Sequence, residues 1–246
     1  MLLRQRLEKV GDFFFRWRSY LPLGLIPLLM LEGRYFYFGS NRLYDDIFEV
    51  ACLSISMLGL AIRIITVGYC KAGTSGKNTK GQFAQSLNKD GVYSVVRNPL
   101  YVGNGFIVIG LSILSQNHEI IIENLLLLAL FYIPIILREE QFLLNTFGEE
   151  YANYAKCTPG LLPNLRLWKR PKLKFNLIRV LYREHDAFIG IMAGFYAFEL
   201  FKDAMHEEFY LDKIDKIWTF VFVISFVIWI VLKSMKKYLK SIDKEP

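Results

Sequence analysis

Three stretches of this 246-residue chain gather side chains that can do chemistry. The first, KAGTSGKNTK, sets Thr74, Ser75 and Asn78 among the ammoniums of Lys71, Lys77 and Lys80. Backbone N–H groups, hydroxyls and ammoniums in one glycine-bearing segment suit an anion. A phosphate loop of the Walker kind is excluded, because Asn78 follows Gly76-Lys77 and Lys71 stands where the first glycine belongs. The second is Arg97-Asn98-Pro99-Leu100-Tyr101-x-Gly103, after an Asp90-Gly91 turn and at the start of an apolar run. Pro99 suits a first helical turn, where its missing N–H is no loss. It holds Arg97, Asn98 and Tyr101 at the mouth of that helix, a place that suits an interface anchor as well as a site. The third comprises Arg138-Glu139-Glu140, Phe147-Gly148-Glu149-Glu150-Tyr151-x-x-Tyr154 and Thr158-Pro159-x-x-x-Pro163. Carboxylates at the end of a helix sit against its negative pole, so Arg138 or a bound cation must offset them.

Other chemistries find no footing. Cys52, Cys70 and Cys157 make neither a C-x-x-C pair nor an even framework, and His118, His185 and His206 are far apart. Neither a disulfide scaffold nor a metal site is expected. The formal charge of +7 raises nucleic acid as a partner, but basic residues that flank apolar spans serve topology and anionic headgroups. No basic motif with interleaved aromatics appears, so nucleic-acid binding is not expected.

The elements that carry these stretches are apolar and long. Six segments, 20–38, 48–68, 99–115, 120–137, 187–201 and 217–232, approach the roughly 20 residues of a spanning helix. The third and fourth are split by four residues, 116–119, which predicts a tight helical hairpin. The first is interrupted by Glu32 and Arg34, and the fifth is short and holds Glu199, so either can lie in the interface. The N-terminus has the basic start of a signal peptide, but Glu32-Gly33-Arg34 replaces a small-residue cleavage site and predicts a retained anchor. Segments 1–19, 69–97, 138–186 and 233–246 carry 24 of the 30 basic residues, which predicts both termini and the two large loops in the cytoplasm. The expected architecture is therefore all-α, a polytopic membrane helix bundle of about six spans in one domain, 1–246, with its two large loops in the cytoplasm.

The order of the motifs is their most specific feature. G-V-Y-x-x-x-R-N-P-x-Y-x-G, a hairpin, then E-E-x-x-L-x-x-x-F-G-x-x-Y-x-x-Y-x-x-x-T-P resembles the isoprenylcysteine carboxyl methyltransferase and phospholipid methyltransferase superfamily over about residues 71–165. That resemblance implies a cap closed over S-adenosylmethionine, with lipid entering from the bilayer. It places Tyr93, Asn98, Pro99, Leu100, Tyr101 and Glu139 on cofactor-contacting positions, along with Gln85, Ser86, Leu87 and Asn88. Arg97, Asn98 and Glu139 are the implied catalytic positions. The segment TSGKNTKGQ is also similar to bacterial enzymes that methylate the 1-phosphate of lipid A. Many members have Arg-His-Pro where this chain has Arg97-Asn98-Pro99.

Asn98 can share a hydrogen bond but cannot take up a proton at neutral pH. Methyl transfer from a sulfonium is an in-line displacement in which positioning and electrostatics can carry much of the catalysis. A phosphate monoester, with a second pKa of about 6, arrives already anionic. An amine arrives protonated, since lysine-like amines titrate at about 10.4. An oxyanion acceptor therefore fits better, held by Lys71, Lys77, Asn78, Lys80 and Arg63; Arg63 equally fits a snorkelling side chain. The alternatives are a phospholipid amine or prenylcysteine carboxylate in the same fold, or an NADPH-dependent sterol-type reductase.

Overall fold

The computed structural model describes residue 14 and residues 42–71, 86–205 and 216–243. Gln85, Lys77, Asn78 and Lys80, like the first apolar segment (20–38), lie outside them. Seven α-helices occur among the described residues: α1 (Arg42–Gly68), α2 (Val92–Val95), α3 (Pro99–Ile113), α4 (His118–Phe147), α5 (Glu149–Cys157), α6 (Leu177–Met205) and α7 (Lys216–Ile242). The all-α expectation holds, and the single backbone bridge there, Gly91 with Lys169, closes a loop of the cap.

Within α1 the stretch Asp46–Gly68, together with all of α4 and α7, is long and apolar enough to cross a membrane. The apolar α3 is shorter, at 15 residues or about 22 Å. α4 has 30 residues, or about 45 Å, against a hydrocarbon layer of about 30 Å. Its last turns must therefore leave the bilayer. This corrects the expected loop 138–186: Glu139 and Glu140 stand on a rigid helical extension, not on a loop. α6 is a second correction, because its 29 residues begin ten positions before the expected segment 187–201. Arg179, Arg183, Glu184 and His185 in that extension are buried against protein, which is how a charged stretch stays helical there.

The hairpin forms where expected. α3 ends at Ile113, Gln116 takes a positive φ of 51°, and Asn117 caps α4 by accepting from the Glu119 N–H at 2.8 Å. α1 and α3 pack backbone to backbone. A Cβ on Gly59 would overlap the Gly103 carbonyl, and one on Gly110 would overlap Ser56. Small residues permit such an approach in lipid, where no hydrophobic drive separates helix from solvent. Cys52, Leu60, Leu114, Ile191, Met192 and Phe195 form the core among α1, α3 and α6, with Trp218 and Phe222 of α7 packed on it.

Candidate functional site

The cap is built on two glycines at positive φ. Gly91 (61°) lets the chain turn back into α2, and Gly148 (53°) ends α4 and begins α5 in one residue. The Gly148 N–H closes α4 on the Leu144 carbonyl at 2.8 Å. That break folds α5 back toward α2, where the Tyr154 hydroxyl donates to the Tyr93 carbonyl at 2.7 Å.

Beneath the cap lies a cavity of about 200 Å³. The end of α1 supplies Ile65, Thr66, Tyr69 and Cys70, and the next residue, Lys71, stands at its edge. Facing them are Ser86, Leu87 and Asn88, then Val92 and Tyr93, with Pro171, Lys172 and Leu173 closing the third side. Lys89 and Asp90 complete the lining; Lys89 pairs with Glu150 at 2.6 Å and Asp90 with Lys172 at 3.4 Å. Four of the expected cofactor positions, Ser86, Leu87, Asn88 and Tyr93, thus meet one expected phosphate ligand, Lys71. Burial pushes the Tyr93 phenol well above its ordinary range; Cys70, Tyr154 and Glu139 push the same way, and Arg183 opposes them. Tyr93 is therefore a neutral wall, not a base.

The second motif residues form a brace beside this cavity. Arg97 donates from Nε to Glu140 at 2.9 Å, from Nη2 to Glu140 at 3.3 Å, and from Nη1 to the Ala155 and Thr158 carbonyls at 2.6 and 3.0 Å. Asn98 donates to the same Glu140 and to the Gly160 carbonyl, both at 3.1 Å. The Arg97 N–H adds a bond to the Pro159 carbonyl at 2.8 Å. Arg97 and Asn98 thereby stitch the mouth of α3 to the end of α4 and to the Thr-Pro turn. Pro99 is buried in the same joint, while the Tyr101 ring lies 4.9 Å from the Tyr132 ring and tilted 58° to it. Leu100 begins α3 between them, and neither Leu100 nor Tyr101 lines the cavity. Glu139, next to the bracing Glu140, is within electrostatic reach of Tyr93 and Tyr151.

Arg63 departs from both of its expected roles. It neither lines the cavity nor snorkels outward: Nε donates to Glu184 of α6 at 2.7 Å and Nη1 to Asn104 of α3 at 2.5 Å. Asn104 then donates to the Tyr132 hydroxyl of α4 at 2.9 Å. This polar chain links four helices and pairs a charge that would otherwise be costly within a bundle. It also explains Gly103, because a Cβ there would strike the Arg63 stem.

α6 supplies residues that carried no motif. Arg179 donates to the Cys70 carbonyl at the cavity edge, and to Asp243 from Nε at 3.0 Å and Nη2 at 2.7 Å. Tyr182 and Asn176 also donate to Asp243, at 2.6 and 2.7 Å. Asp243 thus clasps the end of α7 onto the floor of the cavity. Only the burial of long-range partners reveals such residues; nothing in their spacing did.

Residues 50–150, which span α1 to the start of α5 and hold the brace and most of the cavity, match the phospholipid methyltransferase family. That match supports the isoprenylcysteine and phospholipid methyltransferase superfamily which the order of the motifs resembles. Among curated relatives, the cobalt-zinc-cadmium resistance protein CzcN of Cupriavidus metallidurans is 28% identical over 76% of this chain and 82% of its own length. The protein-S-isoprenylcysteine O-methyltransferases of Xenopus laevis and Schizosaccharomyces pombe are each 29% identical. They cover 52% and 60% of this chain, and it spans 46% and 66% of theirs. No solved structure matches the chain. The strap at 168–176, α6 and α7 all lie outside the matched core, yet Pro171, Lys172 and Leu173 close its cavity.

The lining suits a cofactor that is cationic at one end and aromatic at the other. Tyr69 and Tyr93 offer rings, Ser86 and Asn88 neutral polar groups, and Asp90 a carboxylate shared with Lys172, while Glu139 stands outside the lining within electrostatic reach of Tyr93. The described cavity is below the roughly 300–1,000 Å³ of complete small-molecule sites. Lys71 and Ser86 on its border are the two ends of segment 72–85, which lies outside the described residues.

Proposed function

We propose that this methyltransferase uses S-adenosylmethionine to methylate an anionic lipid headgroup, and that the acceptor is a phosphate of lipid A. The observation that carries the reading is the cavity itself, where Ser86, Leu87, Asn88 and Tyr93 lie across from Lys71. S-adenosylmethionine, when bound, would supply an electrophilic methyl on a sulfonium for transfer to an acceptor oxygen, with the neutral thioether as leaving group. The chain's own residues then have three tasks. Tyr93 and Glu139 face the cationic side, Lys71 with Lys77, Asn78 and Lys80 of the same loop holds the phosphate, and the Arg97–Glu140–Asn98 brace fixes the distance between the two halves. No group need act as a base, since a phosphate oxyanion carries no proton at the attacking atom. Asn98 in place of histidine is consistent with that chemistry. The basic asymmetry supports a cap, and both termini, on the cytoplasmic side of a bacterial inner membrane.

The metal-resistance name of the Cupriavidus metallidurans relative fits a change of lipid charge. A methylated phosphate monoester loses one negative charge and with it affinity for divalent cations at the surface. A prenylcysteine carboxylate is the second reading, favoured by the names of the two eukaryotic relatives.

Titration of purified protein with S-adenosylhomocysteine tests the cofactor, and a rise in melting temperature is expected. Mass spectrometry of lipids from expressing cells tests the acceptor. A methyl increment on a lipid A phosphate is the expected result; the same increment on an amine or a prenylcysteine, with lipid A unchanged, removes the phosphate reading and leaves the methyltransferase intact.

A further inference from the structure

From Tyr151 to Arg183 the chain has eight basic residues and no acidic one. The central part of that run, Leu161–Leu177, exposes apolar side chains among its charges. Leu162 is 84% exposed, Leu165 77% and Trp168 49%, and Leu173, Phe175 and Leu177 are exposed as well. Arg166, Lys169, Arg170, Lys172 and Lys174 alternate with them and are exposed too. A backbone free to move could turn such residues inward, but this one is pinned. The Asn164 N–H bonds the Val95 carbonyl and the Gly91 N–H bonds the Lys169 carbonyl, both at 2.9 Å. The Lys169 N–H donates to Ser94 Oγ at 2.9 Å, and the Asn176 N–H to the Gly68 carbonyl at 2.9 Å. Phe175 covers Gly68 and stands 5.3 Å from the Tyr69 ring.

Gly68 is the last residue of a helix long and apolar enough to cross a membrane, and Leu177 opens α6. The strip is thus fixed at the level where the helices leave the hydrocarbon. Exposed Leu and Trp there, flanked by long basic side chains, have the composition of an interfacial segment. Lys and Arg can lie along the surface with their charges at the phosphates.

We infer that residues 161–177 form a docking strip for the anionic surface of the surrounding leaflet, separate from the acceptor held in the cavity. The inference rests on membrane residence and not on the identity of the acceptor.

Trp168 is the reporter. The full chain and its Trp168→Phe variant are reconstituted in phosphatidylcholine liposomes with and without phosphatidylglycerol, and the difference in emission isolates Trp168 from the other tryptophans. Headgroup-region spin-labelled lipid should quench Trp168 and acrylamide should reach it poorly. Added phosphatidylglycerol should raise the lipid quenching about twofold. A combined Arg166→Gln, Arg170→Gln and Lys174→Gln variant, altered at exposed positions alone, should lose that increment. Trp168 open to acrylamide and untouched by lipid quencher overturns the strip. Equal quenching in both lipid mixtures overturns the anionic surface as its partner. Neither result bears on which molecule is methylated.

Discussion

Glu139 and Glu140 are neighbours on α4 with separate tasks. Glu140 accepts from Arg97 twice and from Asn98 once, with both partners of the ion pair about four-fifths shielded from solvent. Glu140→Gln leaves the guanidinium of Arg97 without its counter-charge, and hydrogen bonds to charged groups are worth roughly 1.5–3 kcal/mol. Thermal unfolding should show a loss of about 2 kcal/mol, midway between exposed and buried pairs. Glu139→Gln should melt like the parent yet hold S-adenosylhomocysteine more weakly, read by calorimetry. If the two variants swap these phenotypes, the division between brace and cavity is wrong. Arg97→Lys should resemble Glu140→Gln, because an ammonium cannot span the carboxylate and two carbonyls that the planar fork reaches.

Two pairs of elements decide whether a cavity exists at all. α1 and α3 meet through glycines, and Gly110→Leu has no room for its side chain against Ser56 and the Cys52 carbonyl. Folded protein recovered from membranes should fall sharply, as expected for overpacking in a backbone contact. α7 reaches the cavity through Asp243. Burial alone would raise that carboxyl, but the bonds from Arg179 and Tyr182 win and hold it below its usual 3.8. Its contribution is complete above about that pH and is lost as pH falls through the lowered value. Burial, then the bond to Asp243, pushes the Tyr182 phenol up to about 12, so its share is present below 10 and fades as pH rises through 12. Melting temperature should be flat across neutral pH and drop at the acid end. Asp243→Asn should lower the neutral plateau and shrink that acid-side drop. An unchanged acid limb in the variant would assign the drop to other carboxylates.

At the scale of the whole molecule, a membrane methyltransferase core over 50–150 is joined to an α6–α7 hairpin that the core does not contain. The hairpin has its own cohesion: Tyr196, Phe222, Phe226 and Trp229 stack in a ladder, and Trp229 donates to Asp186 at 3.1 Å. It also reaches into the core through Glu184 on Arg63 and Arg179 on the Cys70 carbonyl. Glu184→Gln should therefore weaken cofactor retention as well as stability, though it lies outside the matched core. The basic asymmetry makes a separate expectation, that the α3–α4 hairpin faces away from the cap side. A reporter fused at His118 should register the outer side; a cytoplasmic signal there would reverse the assignment.

Periodic and local features were legible in the chain itself. Apolar length marked α1, α3, α4 and α7, because burying a helix in lipid demands a continuous run of apolar residues. Pro99 marked a helix start and Asp90-Gly91 a turn, since helix-start preference and backbone freedom are properties of single residues. The order of the two motifs was also in the sequence, and it sufficed for the family. The partners of those motifs were not. Choosing Glu140 over Glu139 for Arg97 depends on the 100° that separates adjacent residues around α4, set only when α3 and α4 pack. Arg63 had two plausible roles until Glu184, 121 positions away, took its charge. Arg179 and Asp243 carry no local signature at all, because a long-range ion pair is defined by where two helices meet and not by spacing along either one. The sequence thus determined which helices are apolar enough to enter a membrane and which motifs carry the family resemblance, while tertiary packing alone decided which charges line the cavity and which hold its walls.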